Sequence, residues 1–347
     1  PKILRLGKIK LTLASAPDFS YLYPTKIKLF PKTIHRTMKL FRRFTALMLA
    51  VTLSLTTFAA AARDWAAVEV ADKAGATVKG IVYAGVGKRD KELRYAIEQE
   101  IMAINCESIE ELLVLDAMAA EAGRTVEVAL RVNPDIDPKT NHCIDTGQAD
   151  SKFGISYEEI LDNAERIRSL KHLRIVGVHL HIGSQIRELH VFENMCQKVN
   201  VIVENLERLG FSFRFVDVGG GLGINYDMPE NEPIPNFASL FAIVHNHLRV
   251  GDREVHFEFG RSIVGECGEL ITRVLFNKTT ATGRKLLIVD ASMTELIRPA
   301  LYGSYHNIEN ITAETDRTDK YTVVGTACES TDRFDENVSL RRSVRGD

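Results

Sequence analysis

Three short motifs hold the residue types best suited to chemistry, and each follows a strand-like segment of the chain. They are His181 and Ser184 within HLHIGSQ (179–185), the glycines at 219, 220, 221 and 223 after FRFVDV (213–218), and EFGR (258–261). Glycines let backbone N–H groups approach an anion such as a phosphate. An imidazole can cover the face of a ring, and a carboxylate can pair with a ring nitrogen. Together the motifs predict a site for a phosphorylated, aromatic, cationic ring.

Each motif also has a simpler interpretation. A glycine-rich turn after a strand is often only a tight connection, and this spacing matches neither the dinucleotide nor the P-loop motif. His179 and His181 could be hydrogen-bonded core residues, and Glu258 with Arg261 could form a salt bridge. The occurrence of all three motifs at strand ends, where barrel enzymes build their sites, favours the binding site.

The elements that must position these motifs alternate between strand and helix from about Trp65. Apolar periodicity predicts strands at 79–85, 104–106, 126–132, 175–182, 213–218 and 255–259, and helices at 90–99, 107–122, 157–170, 192–209 and 237–250. Six strands of this kind, two short of eight, predict an α/β fold: a (β/α)8 TIM-type barrel that is incomplete at its N-terminal end. After Arg261 the strands at 270–276, 285–289 and 321–324 have no long helices between them, which predicts a β-rich C-terminal domain.

Charge and cysteine content exclude several kinds of function. The 347 residues carry a net charge of −2, and eleven of the lysines and arginines lie in residues 1–43, so the body of the chain is mildly acidic. It has no basic stripe of the kind that nucleic acid requires. Five cysteines without a C-x-x-C pair argue against a disulfide framework or a zinc site and favour a reducing compartment. We therefore expect neither a metal nor a nucleic-acid partner.

Residues 1–63 differ in character from the rest of the chain. Residues 38–62 resemble a secretory signal: three basic residues, an apolar run from Phe44 to Phe58, and alanines at 59–62. The 37 residues before it and the cytosolic character of the body conflict with this interpretation. We expect an unrelated or signal-like segment at 1–63, a barrel domain at 64–262 and a truncated β-rich domain at 263–347.

Five motifs in fixed order give the chain a family resemblance: GVHLHIGSQI, VDVGGGLGINY, FEFGRSIVGECGEL, IVDASMTELIRPALY and CESTDRF, together with RVNPDI (131–136) and SKFGI (151–155). The chain resembles the pyridoxal-phosphate-dependent decarboxylases with an alanine-racemase-like barrel, and within them most of all the diaminopimelate decarboxylases. The resemblance implies a cytoplasmic lyase of lysine biosynthesis that converts meso-2,6-diaminopimelate to L-lysine and carbon dioxide. It also implies pyridoxal 5'-phosphate as cofactor and a homodimer with shared active sites.

The resemblance also implies roles for particular residues. His181 would stack on the cofactor ring and Glu258 would pair with its nitrogen. Cys328, presented to the partner subunit's site, would act with His181 in catalysis. The full cofactor-binding set would be His181, Ser184, Gly219, Gly220, Gly221, Glu258, Phe259, Gly260 and Arg261, and the substrate would be held by Arg261, Arg298, Tyr302 and Glu329. Arg131 resembles a cofactor-side arginine of the family, and a structural ion pair is an equally good interpretation of it.

Two features depart from the family. The tyrosine-x-x-lysine-alanine-asparagine motif, whose lysine forms the Schiff base with the cofactor, is absent, and Lys88 in GVGK is the nearest stand-in. A tyrosine that the family places near the cofactor phosphate, beyond VRGD, is absent too. Two hypotheses follow: a diaminopimelate decarboxylase truncated at both ends, or a catalytically inactive homologue or fragment. Ornithine and arginine are alternative substrates.

Overall fold

A computed structural model describes residues 78–140, 146–147, 151–232 and 234–347, and the backbone of a strand, β1, at Leu4–Lys10. The described residues fall into two compact units. The first, which we call the α/β unit, holds those between 13 and 223 and between 236 and 261. The second, the β-rich unit, holds β1, 224–235 and 262–347.

The α/β unit is a parallel sheet with helices between its strands, as the alternating pattern predicts. Its strands run in the order β2 (Val82–Tyr83), β3 (Ala103–Cys106), β4 (Val126–Asn133), β6 (Leu173–His179), β7 (Phe215–Asp217) and β8 (Glu254–His256), and β5 (Ile155–Ser156) pairs with β4. The helices are α1 (Asp90–Gln99), α2 (Ile109–Glu121), α3 (Tyr157–Asp162), α4 (Ala164–Arg168), α5 (His190–Arg208) and α6 (Phe237–His247). All six predicted strands are present in this sheet, and within the described residues β2 and β8 are its two ends.

Local side chains determine where several of these helices begin and end. Ser108 accepts a hydrogen bond from the Glu111 N–H at 3.0 Å and caps α2, and Asn236 does the same for Ser239 and α6 at 3.1 Å. Gly210, at a φ of 89°, follows the end of α5. Such caps explain why helix ends predicted from sequence lie within a few residues of the observed ones.

The predicted helix at 157–170 is wrong in one respect, because it is two short helices with a break at Asn163. Asn163 has a φ of −106° and a ψ of 9°, outside the helical range. Its side-chain amide donates to the Glu159 carbonyl at 2.9 Å, so it competes with the backbone for that acceptor.

Two predicted strands are also shorter or divided. Residues 79–85 form a 3-10 turn at Val78–Gly80 followed by the two-residue β2. The strand predicted at 270–276 is interrupted at Arg273, where the Asp290 carboxylate accepts hydrogen bonds from the Thr272 hydroxyl and the Arg273 N–H. The spacing of apolar residues does not predict these polar interruptions.

The β-rich unit contains two sheets and two short helices. One sheet has the order β10 (Val274–Thr279), β11 (Lys285–Val289), β13 (Thr318–Val324) and β14 (Arg333–Arg341), and the other has β12 (Ile308–Asn310), β1 and β9 (Gly268–Thr272). Helix α7 spans Arg261–Val264 at the chain boundary between the units, and α8 spans Arg298–Tyr302. The core includes Val274, Leu287, Val289, Val323 and Phe334. The β-rich domain is thus confirmed, whereas β12 and the long, charge-rich β14 were not predicted.

Residues 1–63 were set aside in the sequence, and of these the structure describes only β1, which pairs antiparallel with β9 and β12. Residues 38–62 and Cys143 lie outside the described residues, so the predicted domain bounds stay predictions. Cys106, Cys196, Cys267 and Cys328 are free thiols. Among the helices that the structure describes, none has the length and apolarity needed to cross a membrane.

Candidate active site

A buried group of three side chains lies at the carboxyl ends of neighbouring strands in the α/β unit. His179 ends β6, Asp217 ends β7, and Glu258 lies two residues beyond β8. One nitrogen or carboxylate oxygen of each lies within 4.8 Å of the other two, and His179 Nε2 lies 3.5 Å from Glu258 Oε2. Of the three, only Glu258 was among the predicted site residues. Asp217 was overlooked because it reads as part of a strand, although its position directly before the glycines was a usable signal.

The burial of this group shifts the pKa of each member. Burial raises the pKa of Asp217 to about 7, and the neighbouring Glu258 carboxylate adds to the rise. Burial likewise raises the pKa of Glu258 to about 7, against the lowering effect of the Arg131 cation. Burial lowers the pKa of His179 to about 4, so this imidazole is neutral at physiological pH. The site therefore contains a pair of carboxyl groups that titrate together near neutrality.

His181 is held by the glycine loop. The Gly220 N–H donates a hydrogen bond to His181 Nδ1 at 3.2 Å, so that nitrogen carries no proton. Burial, with a further contribution from Arg131, lowers the pKa of His181 to about 3. The ring is thus neutral and fixed in orientation, as a residue that stacks on a cationic ring requires.

The glycine loop also depends on the small size and backbone freedom of its residues. Gly219 has a φ of 67° and its N–H donates to Asp217 Oδ1 at 2.9 Å. A Cβ atom on Gly220 would lie 2.2 Å from the Glu258 carbonyl oxygen. The absence of side chains therefore lets the loop pack directly against the backbone that carries Glu258.

Replacing Gly220 by alanine is expected to lower the free energy of unfolding by about 1–3 kcal/mol, because the Cβ meets backbone that cannot rotate away. Gly87→Ala is the matched control, since a Cβ there would have no neighbour within 4 Å, and we expect a change within about 0.5 kcal/mol. Urea unfolding of both variants measures the difference. Equal losses in the two variants would show that the close approach at Gly220 is unimportant.

Arg131 forms a buried ion pair. Its Nη1 lies 2.6 Å from Glu107 Oε1, and both side chains are 3% exposed. Glu107 also accepts the N–H groups of Gly85 and Gly154 at 2.8 and 3.1 Å, and the Arg131 guanidinium lies 4.8 Å from the centre of the Phe153 ring. The ion-pair interpretation of Arg131 is therefore correct, and a cofactor contact by Arg131 stays a prediction.

Lys88 is also bound within the unit. Its Nζ lies 2.8 Å from the carbonyl oxygens of Gly85 and Asn105 and 2.6 Å from Glu111 Oε1, and its side chain is 2% exposed. Three acceptors match the three protons of an ammonium group. These contacts hold the Lys88 nitrogen within the unit and occupy its three donor positions, so Lys88 is poorly placed to attack an aldehyde.

The structure brings the predicted cofactor-binding residues together in the α/β unit. Gly220 contacts both His181 and the backbone of Glu258, as described above. Arg261 Nε donates to Ser184 Oγ at 3.1 Å, which joins the first motif to the end of the third. Phe259, between them in sequence, is 8% exposed. The three motifs that the sequence separates by up to 80 residues are therefore neighbours.

The remaining predicted residues belong to the β-rich unit. Arg298 Nη1 donates to His306 Nε2 at 2.9 Å, and its guanidinium lies 4.4 Å from the centre of the Tyr226 ring. Tyr302 ends α8, and Cys328 and Glu329 are exposed after β13. Their roles in catalysis and substrate binding stay predictions.

A separate cavity of about 580 Å³ lies at the opposite, amino-terminal ends of the strands. Its charged lining residues are largely paired with one another: Glu100 lies 3.1 Å from Lys79 and 2.7 Å from Arg124. Barrel enzymes place their chemistry at the carboxyl ends of the strands, so we assign this cavity no part in the site.

Comparison with known proteins agrees with this geometry. Residues 32–265 match the model of the pyridoxal-binding domain of pyridoxal-dependent decarboxylases. The diaminopimelate decarboxylase of Bacteroides thetaiotaomicron is 42% identical over 281 residues, which are 81% of this chain and 72% of that protein. That of Aquifex aeolicus is 41% identical over 280 residues, 80% of this chain and 66% of that protein.

Solved structures show the same fold. The diaminopimelate decarboxylase of Helicobacter pylori, complexed with L-lysine, aligns with a TM-score of 0.74 and 37% identity over 81% of this chain and 69% of that one. An arginine decarboxylase of Paramecium bursaria Chlorella virus, at 18% identity and a TM-score of 0.68, supports the fold alone. These findings confirm the predicted barrel-type fold and family: the chain belongs to the pyridoxal-dependent decarboxylases, and among them to the diaminopimelate decarboxylases.

Proposed function

We propose that this chain binds pyridoxal 5'-phosphate and converts meso-2,6-diaminopimelate to L-lysine and carbon dioxide. The observation that carries the proposal is the placement of buried Glu258 beside the glycine loop that also holds His181. Its substrate follows from the relatives, which are named diaminopimelate decarboxylases, and from the Helicobacter pylori structure, which holds L-lysine, the product of that reaction.

The residues present fit the ring and the phosphate of this cofactor. Gly220 and Gly221, with the Ser184 hydroxyl, would hold the phosphate through N–H and O–H groups. His181 would cover the ring face, and Glu258 would accept a hydrogen bond from the protonated ring nitrogen. Gly219, Phe259, Gly260 and Arg261 would complete the set. When bound, the cofactor supplies an electron sink for the electron pair that the departing carboxylate leaves behind.

The side chains of this chain would then perform three tasks. Ionised Glu258 would keep a proton on the ring nitrogen, which strengthens the ring as an electron acceptor. Neutral His181, fixed through Nδ1 by Gly220, would orient the ring without placing a positive charge beside it. The buried surroundings of the group would exclude water and strengthen both interactions.

Substrate recognition would use the arginines and the carboxylate of the predicted set. A ligand that is an amino acid at both ends presents carboxylates for guanidinium groups and an ammonium group for a carboxylate. We therefore assign these contacts to Arg261, Arg298, Tyr302 and Glu329. Cys328, from the partner of a homodimer, would move a proton at the carbon that loses its carboxylate. The proposed setting is lysine biosynthesis in the cytoplasm.

The proposed site needs a residue that forms a covalent bond with the cofactor aldehyde, and Lys88 does not fit that role. A direct test incubates purified protein with the cofactor and meso-diaminopimelate and measures lysine and carbon dioxide, with ornithine and arginine as competing substrates. We expect lysine and carbon dioxide to form in equal amounts from diaminopimelate, and ornithine and arginine not to react. Borohydride reduction followed by peptide mapping should leave the Lys88 peptide unmodified, because its amine is bound by three acceptors. Cofactor binding without turnover would instead identify a catalytically inactive member of the family.

A further inference from the structure

Asp217 and Glu258 form a carboxyl pair whose protonation has consequences for the proposed cofactor site. Asp217 is 1% exposed and the Glu258 side chain is 11% exposed. Their carboxylate oxygens belong to the group whose donor atoms lie within 4.8 Å of one another. Two buried carboxylates at this separation cannot both be ionised at moderate pH, so the pair retains one proton.

The surroundings decide which carboxyl group keeps that proton. Asp217 is the more deeply buried of the two, and burial disfavours the charged form. The nearby Arg131 cation favours negative charge on Glu258, and a hydrogen bond from a protonated Asp217 side chain would favour it further. Burial raises the pKa of both groups, which keeps at least one proton on the pair up to about neutral pH.

The other charged and titratable groups near the pair lie on neighbouring strands and on the loops that follow them. They are His179 on β6, His256 on β8, Arg131 on β4, Glu107 after β3, and Lys88 after β2. His179 is neutral, and its ring nitrogens have no hydrogen-bond partner among the described residues. Arg131 is matched by Glu107 and Lys88 by Glu111. The pair with one proton therefore leaves a single negative charge to face a cationic ring nitrogen.

We propose that Asp217 is a positioning residue: it keeps the shared proton, donates it in a hydrogen bond to Glu258, and so holds Glu258 in the ionised form. The consequence of this arrangement, which is the pairing of Glu258 with the ring nitrogen, rests on the proposed function. The proton itself stays on Asp217 throughout, so no transfer to substrate is involved. The arrangement between the two carboxyl groups exists in the protein without cofactor and is tested there.

The test is infrared spectroscopy of the cofactor-free protein from about pH 5 to about pH 9, which observes the carbonyl stretch of protonated carboxyl groups. We expect one such group in the wild type to persist until about neutral pH. Asp217→Asn should remove this signal, because the amide still donates to Glu258 but cannot titrate. Asp217→Leu should retain it, because Glu258 then has no donor and becomes the protonated group. The exposed Asp162→Asn is the matched control and should leave the signal unchanged.

Cofactor affinity provides the second readout. Asp217→Asn should bind the cofactor within about threefold of the wild type, whereas Asp217→Leu should bind it about tenfold more weakly or worse, because a shift of one pKa unit in Glu258 changes its ionised fraction up to tenfold.

The free energy of unfolding gives a third readout. A pair whose pKa is raised above the ordinary value of about 4 stabilises the fold at acid pH, so wild-type stability should fall between about pH 4 and pH 7 and level off above that. The fall should be smaller in Asp217→Asn.

A signal that is unchanged in Asp217→Asn would place the proton elsewhere and overturn the proposal, as would a wild type without a carboxyl group titrating near neutrality. If Asp217→Leu fails to fold, the comparison of wild type with Asp217→Asn is still decisive. Failure of the proposed function would appear separately, as absence of diaminopimelate turnover in a protein whose infrared titration is as expected.

Discussion

Glu258→Gln is expected to lower kcat/KM for diaminopimelate by about 10²-fold or more, the largest effect of any single substitution we predict. Glutamine is nearly isosteric but cannot carry the charge that keeps a proton on the ring nitrogen. Cofactor affinity, measured in parallel by titration calorimetry, should fall as well. The loss should appear mainly in kcat, because the interaction strengthens as electron density moves into the ring.

Glu254→Gln is a suitable control for this substitution. Glu254 lies on β8 only four residues earlier, its side chain is 64% exposed, and its partner is His256 at 3.0 Å. We expect it to retain wild-type kinetics within about threefold, because an exposed ion pair contributes at most about 1 kcal/mol. Comparable losses in both variants would mean that Glu258 has no special relation to the chemistry.

Arg131→Met is expected to lower the free energy of unfolding by about 3–5 kcal/mol, since it leaves the Glu107 carboxylate buried and without its cation. Burial decides the size of this effect. Arg94 forms an ion pair of similar length with Glu121, 2.8 Å, but those side chains are 50% and 63% exposed. Arg94→Ala should therefore lower stability far less than Arg131→Met does, as chemical unfolding of both variants would measure.

A second substitution tests the reason for the loss. In Arg131→Met/Glu107→Gln the orphaned charge is removed, while the amide oxygen can still accept a hydrogen bond from Gly85 or Gly154. The double variant should therefore be more stable than Arg131→Met alone, as chemical unfolding would measure. A double variant as unstable as the sum of the two single changes would argue that loss of packing around Arg131, including its contact with Phe153, dominates.

The buried charges around the site share a common arrangement. Lys88 with Glu111 and Arg131 with Glu107 are both buried, and each pair also holds backbone groups of the loop that starts near Gly85. These pairs fix the loops at the carboxyl ends of β2, β3 and β4. Their positions explain why a lysine that looked like a candidate for cofactor attachment serves a structural role here.

The amino-acid sequence by itself determined the order and type of most elements. Residues Asp90–Gln99 show why: the helical spacing of apolar residues and the pairing of Arg89 with Glu92 at its start are local features. Six strands of the α/β unit and the three site motifs were likewise readable from runs of residues close in the chain. Local interactions also cause the departures from the predicted elements, such as the helix break at Asn163. These interactions are single hydrogen bonds, which the spacing of apolar residues does not predict.

Only the tertiary structure decided which charged and polar groups meet. Asp217 and Glu258 are 41 positions apart, Arg131 and Glu107 are 24 apart, and Lys88 and Glu111 are 23 apart. Each of these contacts depends on the register between neighbouring parallel strands and on the path of the loops that follow them. Burial, which converts an ordinary carboxyl group into one that titrates near neutrality, is a property of the packed sheet as a whole. For that reason Asp217, unremarked in the sequence, and His179, interpreted there only as a possible core residue, emerged as members of the site only once the strands were assembled.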